Sequence, residues 1–248
     1  MGQSPKKLKL YEALLDLGLA ESEDKAKAMI MAGQVIVGDQ RADKAGQMVR
    51  PDTPIRVKGK NLYVSRGGFK LAYALEDFGL KDQVSDLTAL DIGASTGGFT
   101  DCLLQHGAKK VFALDVGTNQ LAWSLRNDSR VTAIEKTDIR SVEGPIDPNI
   151  TLAVADVSFN SLSRLLPAFF SACPSQGVRY LLLIKPQFEL SSNKVPDGGV
   201  VVDDSHRLEA VEKVKETLLE LGITSFEVKD CRLPGKTGNR EIFIYFEK

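Results

Sequence analysis

The run Leu90-Asp91-Ile92-Gly93-Ala94-Ser95-Thr96-Gly97-Gly98-Phe99-Thr100 decides how the larger part of this chain folds. An apolar strand runs into it and a helix runs out. Glycines let the main chain turn sharply and approach a ligand closely, and a helix N-terminus offers free N–H groups. Ser95 stands where the dinucleotide pattern G-x-G-x-x-G needs glycine, and no Gly-Lys-Ser/Thr follows, so neither that fingerprint nor a phosphate P-loop is met. Asp115 ends the next strand, 17 residues beyond Gly98. That is close to the spacing at which an acid meets a cofactor ribose. Loop and acid together point to an adenosine-containing cofactor.

Outward from this loop, apolar runs predict strands over Ala89–Ile92, Val111–Leu114, Leu152–Ala155, Tyr180–Ile184, Ser225–Val228 and Ile242–Phe246. Helical spacing predicts helices over Arg66–Phe78 (capped by Ser65), Gly98–His106, Gln120–Arg126, Leu162–Ala172 and His206–Leu221. The alternation predicts an α/β domain with a mostly parallel sheet over residues 61–248. In such sheets ligands sit just outside the carboxyl ends of the strands. Asp156 follows the apolar run 151–155 and Lys185 follows 180–184, so both charges belong at that edge. Glu241 starts the last strand and Lys70 lies on the first helix. The connection Pro186–Ser205 contains Gly198-Gly199 and has the length of a lid or substrate loop.

Composition narrows the function. Lys+Arg number 32 and Asp+Glu 33, so the chain is not uniformly basic. Residues 1–60 hold 11 Lys+Arg against 8 Asp+Glu, and residues 61–248 hold 21 against 25. The sign fits a small partner-binding head on a neutral-to-acidic body. Three scattered cysteines and two histidines form neither a disulfide framework nor a zinc site, which implies a reducing, cytoplasmic setting. No stretch approaches the roughly 20 apolar residues that span a bilayer, and Met1–Leu10 lacks the apolar segment of a secretory signal.

The first sixty residues read as two short helices and a few small strands. Leu10, Ala13, Leu14 and Leu17 share one helical face, and Gly18 stops that helix. Ser22 caps a second helix, Glu23–Met31, stopped by Gly33; strands follow at Gln34–Val37 and Ile55–Val57, with a turn at Gly38-Asp39. The segments Gly18-Leu19-Ala20, Ser22, Ala26 and Ala32–Val37 resemble the ribosomal S-four-like RNA-binding domain. That family usually carries an arginine where this chain has Glu23; Lys9, Lys25 and Lys27 are the nearby cations.

The set Lys70, Asp156, Lys185 and Glu241 is similar to the Lys-Asp-Lys-Glu tetrad of FtsJ-like RNA ribose methyltransferases. Val64–Leu71, the glycine loop Asp91–Asp101, Asp156–Phe159 and Lys185–Glu189 resemble more closely the TlyA family, whose members are often labelled haemolysins. The resemblance implies an α/β, Rossmann-like S-adenosylmethionine-dependent methyltransferase domain at 61–248 behind a small α+β S-four-like domain at 1–60. It implies 2'-O-methylation of cytidine in ribosomal RNA, with ribosomal RNA or ribosomal subunits as partners and no membrane or metal. Lys70, Asp156, Lys185 and Glu241 become the catalytic set, with Lys185 as base or orienter of the ribose hydroxyl. Desolvation and the second cation, Lys70, would lower the Lys185 pKa. Gly93, Ser95, Thr96, Gly97, Gly98 and Phe99 become the loop around the methionine end of the cofactor. Asp115 takes the ribose, and Asp138 and Ile139 lie near the adenine. A membrane-active haemolysin, a noncatalytic RNA-binding module and a nicotinamide oxidoreductase are the rival readings.

Overall fold

The computed structural model describes residues 7–17, 19–20, 22–50, 53–58 and 62–248. The expected helix stop at Gly18 and most of the Met1–Leu10 start lie outside those residues. The chain divides into two compact units, Met1–Leu62 and Tyr63–Lys248.

The first unit runs β1 (Leu8–Lys9), α1 (Leu10–Asp16), α2 (Glu23–Met31), β2 (Val35–Val37), β3 (Gln40–Arg41), β4 (Met48–Val49) and β5 (Ile55–Val57). Ser22 Oγ accepts from Lys25 N–H at 3.3 Å, the expected cap of α2. Gly33 follows α2 with φ +62°, a left-handed position that suits glycine. β2 pairs antiparallel with β3 and β5, and β1 with β4. Leu10, Leu14, Ala26, Ile30 and Val35 form the fully buried core of this unit. The two-residue strands β1, β3 and β4 carry no apolar run and were not legible beforehand.

The second unit continues with α3 (Arg66–Asp77), β6 (Thr88–Ile92), α4 (Gly98–Gln105), β7 (Lys110–Leu114), α5 (Trp123–Arg126), β8 (Val131–Ile134), β9 (Ile150–Ala155), α6 (Leu162–Ala172), β10 (Arg179–Ile184), α7 (Pro186–Glu189), α8 (Asp204–Glu220), β11 (Phe226–Asp230) and β12 (Ile242–Glu247). Seven strands form one sheet in the order β11-β12-β10-β9-β6-β7-β8, with β12 antiparallel to both neighbours and the other ladders parallel. This is the expected α/β class.

Chain progression from β6 runs outward to β7 and β8, then returns to β9 on the other side. That reversal opens a crevice at the carboxyl ends of β6 and β9, where doubly wound sheets bind ligands. The central strands are buried on both faces and therefore read as unbroken apolar runs. Tyr180 and Phe246 stack at 4.9 Å between ring centroids, and Phe169 is fully buried. Each such side chain stabilises the fold by about 1.5–3 kcal/mol.

One strand was not expected, and two local expectations need correction. β8 is an edge strand with Thr132 and Ala133 exposed, so it lacked the apolar run of a central strand. α5 begins at Trp123 rather than Gln120. The connection after Lys185 is not a continuous loop: it opens with α7, and α8 begins at Asp204, before the expected His206.

Candidate active site and cofactor cleft

The glycine loop leaves β6 at Gly93, whose φ is +79°. A Cβ there would lie 3.2–3.3 Å from Val157 Cγ1 and the Asp156 carbonyl, so the loop passes the β9 end at a distance that needs glycine. Ser95 also has positive φ, +49°, unusual for a residue with a side chain. Its N–H donates to Asp115 Oδ2 at 2.8 Å, which holds the turn. Gly97 points its missing side chain at Leu121 and Leu125, so it serves packing rather than the cleft. A Cβ on Gly98 would meet Ser65 Oγ at 2.2 Å and Gly68 N at 2.8 Å; its absence lets α4 sit against α3. Ser65 begins α3 without a side-chain cap hydrogen bond.

Two adjoining clefts flank this loop. The first, 270 Å³, is lined by Gly93, Ser95, Asp115, Asp138, Ile139 and Phe159, among others. The second, 160 Å³, is lined by Ser95, Thr96, Gly98, Phe99, Asp91, Asp156 and Lys185 together with Ser65 and Gly67. Both share Gly93, Ser95, Asp156 and Ser158. Phe99 is buried and stacks on Phe243, which fixes the start of α4.

The donor set fits an adenosyl amino acid. Asp115 accepts from Ser95 N–H and, through Oδ1, from Gly117 N–H at 2.7 Å. A carboxylate has about four lone-pair sites, so both oxygens retain capacity for a ribose diol. Asp91 is fully buried; Oδ2 accepts from Thr100 N–H at 2.9 Å and Thr100 Oγ1 at 2.6 Å, while Oδ1 has no hydrogen-bond partner. That orphaned oxygen suits an ammonium. Burial pushes the Asp91 carboxyl up to about 7, against the pull of Thr100. Asp138 is paired with Arg140 at 2.5 Å, which holds its carboxyl down at about 2. Its orientation is thereby fixed beside Ile139, which is buried in the cleft wall.

The four charged residues converge at the sheet edge. Lys70 Nζ donates to Glu241 Oε2 at 2.5 Å. Lys185 Nζ donates to Ser158 Oγ at 2.7 Å and makes an ion-pair contact with Asp156 Oδ1 at 2.6 Å, outside hydrogen-bond alignment. Lys70, Lys185 and Glu241 are 7 %, 9 % and 3 % exposed, so they are not solvated surface charges. Burial opposes the Lys70 charge, but the Asp156 and Glu241 carboxylates outweigh it and raise its pKa. Lys70 is therefore held as the charged second cation beside Lys185.

Sequence reasoning missed three participants. Ser158 lies within the quoted Asp156–Phe159 segment, but only the fold brings it to Lys185, 27 residues away. Phe159 is 89 % exposed at the cleft mouth with φ +63°, a strained position for an aromatic residue. Glu189 is buried and accepts from Ser161 Oγ at 2.7 Å, Ser163 Oγ at 2.9 Å and the Leu162 N–H. It ties α7 to the start of α6.

The FtsJ-like methyltransferase family matches residues 63–248. The chain is 43 % identical over 235 residues to the 16S/23S rRNA (cytidine-2'-O)-methyltransferase TlyA of Mycobacterium tuberculosis, covering 94 % of this chain and 87 % of that one. It is 37 % identical over 241 residues to Hemolysin A of Brachyspira hyodysenteriae, covering 96 % and 99 %. A solved structure described as "Putative hemolysin from Streptococcus thermophilus" matches with a TM-score of 0.71 and 38 % identity, covering 99 % of this chain and 90 % of that one. No helix among the described residues is long and apolar enough to cross a membrane. The chain therefore belongs to the FtsJ-like methyltransferase family and, within it, to the TlyA family, and it is an S-adenosylmethionine-dependent methyltransferase.

Proposed function

We propose that this enzyme methylates the 2'-hydroxyl of cytidine in ribosomal RNA. The observation that carries the reading is the convergence of Lys185, Asp156, Lys70 and Glu241 beside the cleft that suits the cofactor. The sulfonium methyl of S-adenosylmethionine is already an activated electrophile, so the chain's residues need only present the oxygen and accept its proton.

Lys185 is the residue that meets the ribose. Its ammonium has three donors; two directions are taken by Ser158 and Asp156, leaving one for the 2'-oxygen. As the new C–O bond forms and the methyl–sulfur bond breaks, leaving the neutral thioether S-adenosylhomocysteine, the Lys185 ammonium orients the oxygen and the hydroxyl proton passes to the Asp156 carboxylate beside it. Lys70, held charged, and Glu241 neutralise one another beside that pair and keep Asp156 in place. In-line alignment of the oxygen supplies much of the acceleration.

The first unit serves as the S-four-like RNA-binding part, with ribosomal RNA or ribosomal subunits as partners. Lys27 is bound to Glu23 at 2.5 Å and lies over the Tyr11 ring, so its charge is partly answered. Cys102 and Cys173 are buried free thiols, which suits the cytoplasm.

Methyl transfer from labelled cofactor to 16S and 23S rRNA, followed by digestion to nucleosides, tests this. The expected product is 2'-O-methylcytidine. Label on a base, or equal transfer to DNA, would overturn it.

A further inference from the structure

A cavity of 400 Å³ adjoins the cofactor cleft and shares Phe159 and Leu165 with it. Phe188 forms an aromatic wall, its ring centroid 5.4 Å from that of Phe159. Three cations line the cavity: Arg140, Arg164 and Lys213. Glu189 is the one acid in the lining; it is 2 % exposed and its oxygens are engaged by Ser161, Leu162 and Ser163.

The cations differ in how far they are committed. Arg140 grips Asp138 with two nitrogens. Lys213 gives one N–H to the Glu189 carbonyl at 2.5 Å, leaving two donors. Arg164 is exposed in the first turn of α6, and its side chain makes no hydrogen bond or ion pair among the described residues. The 720 Å³ cavity at the opposite edge of the sheet differs: Lys110 is paired with Asp147, Arg130 with Asp128 and Arg179 with Gln83, Lys109 is exposed, and no aromatic ring lines it.

We infer that this cavity is the subsite for the nucleotide next to the methylated cytidine, with Arg164 and Lys213 on its phosphodiester and Phe188 against its base. The inference rests on RNA being the substrate. Phe159 lines both the cofactor cleft and this cavity, so a strand whose target ribose lies at Lys185 has a path past it, and the cavity beyond offers what a nucleotide recognises: an unpaired guanidinium, a second cation and a ring face. Stacking on an aromatic side chain tolerates any base, while Arg contacts to phosphate set position.

The test uses the full chain, comparing wild type with Arg164→Gln, Arg164→Lys and, at the opposite sheet edge, Lys109→Gln. Affinity for 16S and 23S rRNA is measured over a potassium chloride series, with methyl transfer followed in parallel. Arg164→Gln should raise Kd severalfold and flatten the slope of log affinity against log salt by about 0.7, the loss of one phosphate contact to a single strand. Arg164→Lys should restore most of the slope, and Lys109→Gln should leave it unchanged. An Arg164→Gln slope equal to that of wild type, or an equal loss in Lys109→Gln, would overturn the subsite. If wild type methylates rRNA and Arg164→Gln does so with unchanged KM, the subsite fails and the function stands. If binding depends on Arg164 but wild type transfers no methyl, the function fails and the subsite with it, and only an RNA contact at Arg164 is left. An absence of rRNA binding by wild type overturns both.

Discussion

Ile184 pairs with Ile242 across the antiparallel β10–β12 ladder, so Lys185 and Glu241 leave the sheet side by side. They are 56 residues apart in sequence. The single antiparallel strand puts the start of β12 at the edge where every parallel strand ends. Lys70 then reaches Glu241 from α3, and Asp156 reaches Lys185 from β9.

Replacing Lys185 by alanine removes the one group with a donor direction left for the ribose oxygen. We expect methyl transfer to rRNA to fall by about 10²–10⁴-fold, the range for a positioned acid–base group. Affinity for S-adenosylhomocysteine, measured by calorimetry, should stay within about twofold, because Asp115 and the glycine loop are untouched. Full activity in the variant would remove Lys185 from the mechanism.

Asp91 predicts a pH dependence of cofactor binding. In the ligand-free protein its carboxyl titrates at about 7, above its ordinary 3.8. The fold therefore binds this proton more tightly than the unfolded chain, and ligand-free stability declines as pH rises from 3.8 toward 7. An ammonium beside Oδ1 favours the carboxylate, so binding releases the proton. Affinity for S-adenosylhomocysteine should rise as pH climbs to 7 and level off above it. Asp91→Asn should flatten the profile; a profile already flat in wild type between mildly acidic and neutral pH would count against the contact.

Phe159 is held in solvent on a strained backbone, so its ring contributes little to the fold. Phe159→Ala should leave the melting temperature within a degree or two, as is usual for an exposed site making few contacts. The kcat/KM for rRNA should fall by roughly 5–150-fold, matching about 1–3 kcal/mol for one base–aromatic stack. Unchanged kinetics would mean that the ring faces no base.

Glu189→Ala leaves the Ser161 and Ser163 hydroxyls and the Leu162 N–H without their acceptor. A loss of about 3 kcal/mol is expected from buried donors left unsatisfied, which in a domain of this size lowers Tm by roughly 6–12 °C. Because α7 follows directly on Lys185, kcat should fall as well, while cofactor affinity is retained. A melting curve that coincides with that of wild type would show that the latch is not needed.

The glycine loop, Asp115 and the strand-end charges were legible because each obeys a local rule: an apolar run, a turn that needs glycine, a charge where a buried strand stops. Edge strand β8 escaped because half of its residues face water, and α7 because four residues carry no helical period. Ser158, Phe159 and Glu189 escaped for a different reason. Their partners are 27 or 28 residues away, or, for Phe159, the signal is an exposure that only coordinates reveal.

The sequence by itself determined the α/β alternation, the cofactor loop and which residue types stand at strand ends, since these follow from short-range sterics and burial periodicity. Tertiary structure decided which charges pair. Antiparallel β12 sets Glu241 beside Lys185 in space yet leaves its carboxylate bound to Lys70, while Ser158 and Asp156 hold Lys185. Strand direction and register are global properties, settled by which arrangement buries all the apolar runs at once, and no local spacing encodes them.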